Sequence, residues 1–218
     1  MRSSSRQPKA EDAVLWEYAN LATEYDDRWF HYTGPSIRET IRRMHIGATE
    51  KLLDVGCGTG ALLKCVSDTF PDAGLYGVDP SSEMLAVARQ KLGSDVELKE
   101  GMAESLPFGD DSFDVVVSSS SLHYWRHPEI AFAEIARVLK PGGRVVITDW
   151  CDDYLSCRAC GMYLRLVNRA HHRTYGTKKC VRLLKSAGFS NIGVDRYKID
   201  WLWGLMTATG INRQEETK

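Results

Sequence analysis

The sequence predicts an α/β protein of the doubly wound, Rossmann-like type, with helices on both faces of a mostly parallel sheet. From Lys51 onward, short apolar runs alternate with amphipathic segments, as is typical of strand–helix–strand units. The predicted strands are continuously apolar, which is expected where helices cover both faces of a sheet. At 218 residues, 43% of them hydrophobic, the chain can bury the core of one large domain.

The central elements follow one another in regular order. Predicted strands cover residues 52–55, 75–79, 96–100, 113–117 and 144–149. Helices are expected over 61–69, after Ser81 as N-cap, and from Pro128 to the turn at 141–143. The second of these would place Met84, Leu85 and Ala88 on one face, which is a helical spacing.

The two ends of the chain have a different pattern. Residues 11–46 are expected to form two helices, with a break at Gly34-Pro35. Thr177 is expected to cap a helix that ends at Gly188. The apolar runs at 192–199 and 201–206 lie too close for a crossover, so they should pair antiparallel.

These patterns divide the chain into two parts. Residues 1–46 would form a helical cap with a flexible tail, and residues 47–218 the main domain. A helical insert is expected at about 151–176.

Composition excludes several classes of function. A formal net charge of -1 argues against phosphate-driven binding of nucleic acid. No apolar run is long enough to span a membrane, and the N-terminal residues lack the apolar core of a secretory signal. Six cysteines without an export signal indicate reduced thiols and a cytoplasmic protein.

A glycine-rich turn follows the first predicted strand. Gly56, Gly58 and Gly60 alternate there with other residues, so the backbone can turn tightly and a ligand can approach it closely. Asp79 ends the second strand, where a carboxylate can accept hydrogen bonds from both hydroxyls of a ribose. Residues 56–61 also fit the dinucleotide pattern G-x-G-x-x-G/A, so a nicotinamide-dependent oxidoreductase is an alternative at this point.

Four segments together resemble one family, the class I S-adenosylmethionine-dependent methyltransferases, and in particular the group of the ubiquinone and menaquinone methyltransferases. These segments are LLDVGCGTG at 52–60, GVDPS at 77–81 with the helix after it, EGMAESLPF at 100–108 with DSFD at 111–114, and RVLKPGG at 137–143. The resemblance is strong from Lys51 to Trp150 and weaker at both ends.

The resemblance implies a fold, a cofactor and a set of binding residues. The sheet would have seven strands with an antiparallel last strand, and the cofactor would be S-adenosyl-L-methionine, with S-adenosyl-L-homocysteine as its product. The implied cofactor-binding residues are Asp54, Gly56, Cys57, Gly58, Thr59, Gly60, Asp79, Pro80, Met84, Met102, Ala103, Glu104 and Ser119. Thr59 and the turn would hold the methionine part, Asp79 would bind the ribose, and Met84 would pack on the adenine. The Met102-Ala103 pair would meet the adenine edge, and Ser119, after the fourth strand, would border the sulfonium end.

Met102 departs from the family pattern. The family usually has Asp or Asn at this position, where the side chain accepts a hydrogen bond from the adenine amino group. A thioether is a weak acceptor, so Glu104 or a backbone carbonyl would have to substitute, or the affinity for the cofactor would drop.

The acceptor side is less defined by the sequence. His123, which follows the fourth strand, is a candidate base or orienting residue, and packing within its loop is the alternative. Tyr25, with Asp26, resembles an N-terminal motif that closes over the cofactor in relatives. His171-His172 and Tyr175 of the insert are further candidates, and Trp201 and Trp203 are expected to share a face as core or interface residues.

No metal site is expected. Cys157 and Cys160 have the spacing of zinc ligands and Cys151 is close in sequence, but a second close pair is missing, so buried thiols are favoured. The expected partner is a small-molecule acceptor, and the protein would be a monomer or a homodimer. A non-catalytic cofactor-binding protein is a further alternative, and the sequence names neither the acceptor nor the methylated atom.

Overall fold

A seven-stranded sheet forms the centre of the protein. The computed structural model describes residues 21–167 and 173–213. The strands are β1 (Lys51–Val55), β2 (Gly74–Asp79), β3 (Val96–Glu100), β4 (Phe113–Ser119), β5 (Leu139–Trp150), β6 (Ser190–Lys198) and β7 (Gly204–Ile211). Their order in the sheet is β3-β2-β1-β4-β5-β7-β6.

The strand directions confirm the predicted fold class. Strands β1 to β5 are parallel to their neighbours. The last strand, β7, lies between β5 and β6 and is antiparallel to both. A short connection from β6 to β7 leaves no room for a crossover helix, which forces the antiparallel pairing.

Helices cover the sheet. They are α1 (Tyr25–Met44), α2 (Ala61–Thr69), α3 (Ser82–Leu92), α4 (Pro128–Val138), α5 (Leu155–Val167) and α6 (Thr177–Ser186), with a 3-10 turn at Leu122–Tyr124. Ser81 caps α3, because its hydroxyl accepts a hydrogen bond from the amide of Met84, as predicted. None of the helices within the described ranges is both long and apolar enough to cross a membrane.

Two apolar layers lie on either side of the sheet. Neighbouring residues of one strand point to opposite faces, so Leu53 joins one layer with Phe132 while Leu52 joins the other with Leu63. Both leucines are fully buried. The central strands are therefore covered on both faces, which explains their continuous apolar sequence.

The predicted break at Gly34-Pro35 is wrong, because α1 runs through Pro35 without interruption. Proline removes one helical hydrogen bond, which usually ends or kinks a helix. Here Tyr32, Ser36 and Thr40 are buried at a helical spacing on the face that packs on the sheet. This packing stabilises the helix across the missing bond. Residues 11–20 of the predicted first helix, and the predicted flexible tail before them, lie outside the described residues.

Two local predictions near the C-terminal end are also wrong. Thr177 is the first residue of α6 rather than its cap, and its hydroxyl donates to Asp153 at 2.7 Å. Trp201 and Trp203 lie in the turn before β7 rather than in a strand. They do not share an environment, since Trp201 is 83% exposed while Trp203 packs against Tyr32 and Trp150.

Candidate functional site

The glycine turn joins β1 to α2 and presents its backbone to an open space. Gly56 and Gly58 both have positive φ, 76° and 53°, which L residues rarely adopt. A Cβ on Gly56 would lie 2.6 Å from the side chain of Ser121, whereas a Cβ on Gly58 would meet nothing within 4 Å. Gly56 therefore allows close packing inside the protein, and Gly58 keeps the ligand side of the turn open.

A cavity of about 180 Å³ lies beside this turn, at the carboxyl ends of β1, β2 and β4. Open α/β sheets bind ligands at this edge. The predicted site residues that line the cavity are Tyr25, Asp54, Gly56, Cys57, Gly58, Thr59, Asp79, Pro80, Met84, Met102, Ala103, Glu104 and Ser119. Gly60, which precedes α2, and His123 are not among the lining residues.

Asp79 is held in a fixed orientation at the end of β2. Its Oδ2 accepts a hydrogen bond from the amide of Gly58 at 2.8 Å, and its Oδ1 accepts one from the amide of Ser81 at 2.9 Å. Burial raises the pKa of Asp79 to about 6, and these two amides act in the opposite direction. The carboxylate can accept further hydrogen bonds from a ligand in the cavity.

Asp54, at the end of β1, is a buried acid beside Asp79. Burial, together with the nearby charge of Asp79, raises the pKa of Asp54 to about 8. Its Oδ1 has no hydrogen-bond partner among the described residues. A buried carboxylate oxygen without a partner is costly, so this cavity is suited to a ligand that brings a donor or a positive charge.

The opposite wall of the cavity is apolar. Met84 and Ala103 are buried there, while Met102 is 46% exposed. Oε1 of Glu104 accepts hydrogen bonds from the amides of Arg126 and His127, at 2.9 and 3.1 Å. Part of the Glu104 carboxylate is thus already engaged, and this wall offers mainly thioether and methyl groups to a flat ring.

The first turn of α1 covers the methionine end of the predicted cofactor site. Asp26 accepts a hydrogen bond from the hydroxyl of Thr59 at 2.6 Å, and its other oxygen lies 2.5 Å from Nζ of Lys91. Tyr25 lines the cavity next to Asp26. Lys91 was missed by the sequence analysis, because its role depends on the packing of α3 beside the glycine turn.

A row of hydroxyl groups attaches α1 to the ends of β4 and β5. Ser36 Oγ lies 2.9 Å from Ser119 Oγ, and Tyr32 Oη lies 2.8 Å from Ser120 Oγ. Trp150 Nε1 donates to Tyr32 Oη at 2.7 Å. These contacts border the predicted sulfonium end at Ser119. The i, i+4 spacing of Tyr32 and Ser36 is a sequence signal that could have indicated them.

His123 and Asp149 form a buried pair. Asp149 Oδ1 lies 2.8 Å from His123 Nδ1, and Asp149 Oδ2 accepts from the amide of His123 at 3.2 Å. His123 is 3% exposed and Asp149 1% exposed. His123 stacks on Trp150, and the neighbouring Tyr124 lines the cavity. Sequence reasoning missed Asp149, which lies near the end of the long strand β5.

The remaining candidates are the His171-His172 pair, Tyr175 and the cysteines. His171-His172 lie outside the described residues. Tyr175 is described and is 2% exposed. All six cysteines are free thiols. In the part of the chain that the structure describes, no group of three or more His, Cys, Asp or Glu side chains is placed to hold a metal ion.

The sequence of the chain is similar to that of known methyltransferases. The family model described as a methyltransferase domain matches residues 53–147. The chain is 36% identical over 151 residues to a demethylmenaquinone methyltransferase of Chlorobaculum parvum, a match covering 68% of this chain and 60% of the relative. The matched part spans 50% to 64% of the length of the curated relatives.

Solved structures show the same fold. The YcgJ protein of Bacillus subtilis superimposes with a TM-score of 0.71 at 22% identity, covering 83% of this chain and 99% of that one. A phosphoethanolamine N-methyltransferase of Haemonchus contortus, in complex with phosphomonomethylethanolamine and S-adenosylhomocysteine, gives a TM-score of 0.76 at 19% identity. That match covers 94% of this chain and 60% of the other.

Proposed function

The chain carries a methyltransferase domain of the class I, S-adenosylmethionine-dependent family, and on that premise we propose that it transfers a methyl group from S-adenosyl-L-methionine to a small organic acceptor. The product of the donor would be S-adenosyl-L-homocysteine. We propose that the acceptor is a small molecule, that no nucleic acid takes part, and that the enzyme is a monomer or a homodimer.

The observation that carries this proposal is the pair of buried carboxylates around the glycine turn. Asp79 is aligned by two backbone amides, and Asp54 presents an oxygen that lacks a partner among the described residues. A ribose can donate to the first, and the ammonium of an amino-acid moiety can compensate the second, directly or through water. The apolar wall at Met84 and Ala103 suits an adenine ring.

Met102 is compatible with this assignment but should weaken the binding of the cofactor. Its side chain offers no strong acceptor to the adenine amino group, and Glu104 already accepts two backbone hydrogen bonds. Loss of one such hydrogen bond costs on the order of 1–3 kcal/mol. We therefore expect weaker cofactor binding than in relatives that have Asp or Asn here, with the site still functional.

For this reaction the protein mainly has to position the acceptor, because the methyl donor is already activated. Bound S-adenosylmethionine supplies an activated methyl group on a positively charged sulfur. The chain's own residues must then hold the acceptor atom in line with that methyl group and keep water out. Ser119 and the first turn of α1, with Tyr25, border this end of the cavity and would form that enclosure.

His123 and Tyr25 are proposed to act on the acceptor side. Tyr25 lines the cavity and would contact the acceptor or the donor's methyl end. His123 does not line the cavity itself but stacks on Trp150 and contacts Tyr124, which does line it. Its burial favours the orienting role over that of a base, and Asp149 would fix its ring.

The domain division is likewise a proposal. Residues 1–46 would act as the cap and 47–218 as the methyltransferase domain, with the insert at about 151–176 forming part of the roof. The six free thiols favour a reducing compartment, so we propose a cytoplasmic protein.

Turnover of the donor tests the proposed function. Protein is incubated with S-adenosylmethionine carrying a ¹³C-labelled methyl group and a panel of phenols, carboxylic acids, amines and thiols. Mass spectrometry should detect a labelled acceptor together with S-adenosylhomocysteine. A chain that binds the donor without forming S-adenosylhomocysteine with any acceptor would be a non-catalytic binding protein, and reduction or oxidation of an acceptor with NAD would indicate the oxidoreductase alternative.

A further inference from the structure

The helix α5 exposes an apolar face to solvent. Leu155, Met162 and Tyr163 are 82%, 54% and 62% exposed, and Ala159 is exposed between them. Their spacing of i, i+4, i+7 and i+8 places all four on one side of the helix. We call these four residues the apolar stripe. The opposite side carries the buried Cys157, so the stripe faces away from the protein.

The turn between β6 and β7 extends this surface. Gly204 donates to Sγ of Cys157 on the buried side of α5, at 3.1 Å. Two residues earlier, the carbonyl of Leu202 accepts from Ser156 on the flank of the helix, at 2.7 Å. The turn is thus hydrogen-bonded to the first turn of α5, and Trp201, which directly precedes Leu202, is 83% exposed.

Two exposed cations lie near the stripe. Arg158 is exposed on α5, next to the stripe on the helical surface. Lys198 is exposed on β6, and its Nζ lies 3.3 Å from the carbonyl of Trp201 and 5.6 Å from the ring of Tyr154, which directly precedes α5. The acidic residue of this turn, Asp200, is exposed, and its Oδ1 accepts hydrogen bonds from the amides of Leu202 and Trp203.

We infer that the apolar stripe and Trp201 form a docking surface for a lipid bilayer with anionic headgroups. The side chains of this surface stand exposed on the outward face of a helix and in a turn, whereas a helix or a peptide partner is usually held in a groove. An interfacial helix lies with its apolar side in the headgroup region, and exposed Trp and Tyr side chains favour that depth. Arg158 and Lys198 are placed to meet the negative headgroups beside it.

The position of this surface adds to the argument. Strand β5 ends at Trp150 and leads into α5, and β7 starts at Gly204 beside the same end, since Trp150 pairs with Leu205. The docking surface therefore lies at the carboxyl edge of the sheet, the edge where the cavity opens. A bilayer bound there would lie next to the mouth of the site rather than behind the protein.

Vesicle co-sedimentation tests this inference without any donor or acceptor, so its outcome is independent of the proposed function. Full-length protein is mixed with vesicles of phosphatidylcholine alone or of phosphatidylcholine with phosphatidylglycerol. We expect binding to the mixed vesicles that weakens as salt is raised. The double variant L155S/W201S should bind roughly 10-fold more weakly, while I130S, which removes another exposed apolar side chain (51% exposed), should bind like the parent protein.

A charge-reversal pair separates the electrostatic contribution. R158E/K198E should lose the preference for phosphatidylglycerol, whereas R182E/K185E, which reverses two exposed cations of α6, should keep it. The inference is overturned if the parent protein stays in the supernatant with both kinds of vesicle. It is also overturned if sedimentation velocity shows a self-associated species that L155S/W201S dissociates, because the surface would then belong to a second copy of the chain.

Discussion

Thr59 in the glycine turn donates a 2.6 Å hydrogen bond to Oδ1 of Asp26 in the first turn of α1. Lys91 approaches the other oxygen of Asp26 at 2.5 Å. These contacts join the helix that covers the cavity to the turn that forms its floor. We expect this connection to slow the release of a ligand from the cavity.

Asp26→Ala should therefore release the cofactor faster. The substitution removes the acceptor of Thr59 and the counter-ion of Lys91, and since the carboxylate is partly exposed we expect a loss of about 1 kcal/mol, or roughly 5-fold in affinity. Stopped-flow measurement of S-adenosylhomocysteine dissociation checks this. The exposed neighbour provides a control, because Asp27→Ala should leave the rate unchanged. Equal rates in both variants would show that the connection does not hold the cap closed.

Cofactor binding should weaken in acid because of Asp79. Its pKa is about 6 in the ligand-free protein, and ribose hydroxyls donate to the ionised carboxylate. Below that pH the carboxyl is protonated, so affinity for S-adenosylhomocysteine should fall by up to about 10-fold per pH unit. Calorimetric titration from about pH 7.5 down to about pH 5 measures this slope. Asp79→Asn should bind weakly and show a flatter profile, and a parent protein whose affinity is constant over this range would argue against a ribose contact at Asp79.

Asp54→Asn should stabilise the ligand-free protein at slightly alkaline pH. The folded-state pKa of Asp54 is raised from 3.8 to about 8, so the folded protein retains a proton that the unfolded chain releases. Stability contributed by this proton is lost as pH rises towards 8. Asn cannot ionise, and each kcal/mol recovered should raise Tm by about 2–4 °C.

The pH dependence provides the check on Asp54. Thermal unfolding of parent and variant should differ most near pH 8 and converge only towards about pH 4, the pKa of the unfolded chain. The exposed Asp72→Asn should show no such dependence. The same Asp54→Asn variant should bind the cofactor less well, because the ammonium of a bound cofactor favours the ionised form of Asp54 and Asn cannot ionise. A variant that is less stable at every pH would contradict the account.

The Asp149 carboxylate should fix the tautomer of His123. A carboxylate can only accept, so the 2.8 Å contact requires the proton on Nδ1 of the ring. Long-range ¹H–¹⁵N NMR of labelled protein should show one histidine protonated at Nδ1, with His123→Gln assigning the signal. Asp149→Asn should lose this signature while retaining cofactor binding. A ring of His123 protonated only at Nε2 in the parent protein would remove the basis for the orienting role.

Much of the fold follows from local sequence patterns. The buried strands are continuous apolar runs, and Ser81 and Pro128 mark helix starts by their own chemistry, so β1 to β5 and the helices between them were predictable. Pro35 was misread because a local rule ends the helix there, while the packing of Tyr32, Ser36 and Thr40 on the sheet keeps it intact. Trp201 was misread because apolar character alone does not distinguish a strand from an exposed turn.

The site residues also divide into those that the local sequence indicates and those that only packing brings together. The turn from Gly56 to Gly60 and the acid at Asp79 are contiguous signals, and the structure brings most of the predicted residues around one cavity. Lys91 and Asp149 were missed because each acts through a residue distant in sequence, Asp26 and His123. Such pairings depend on how elements pack and cannot be derived from the spacing along one chain segment.

The central claim is that the cavity binds S-adenosylmethionine through Asp79. Isothermal titration of the purified protein with S-adenosylmethionine, S-adenosylhomocysteine and NAD tests it most directly, with Asp79→Ala as the matched variant. The account predicts micromolar binding of the first two ligands, no binding of NAD, and loss of binding in the variant. Binding of NAD alone, or of none of the three ligands, would contradict it.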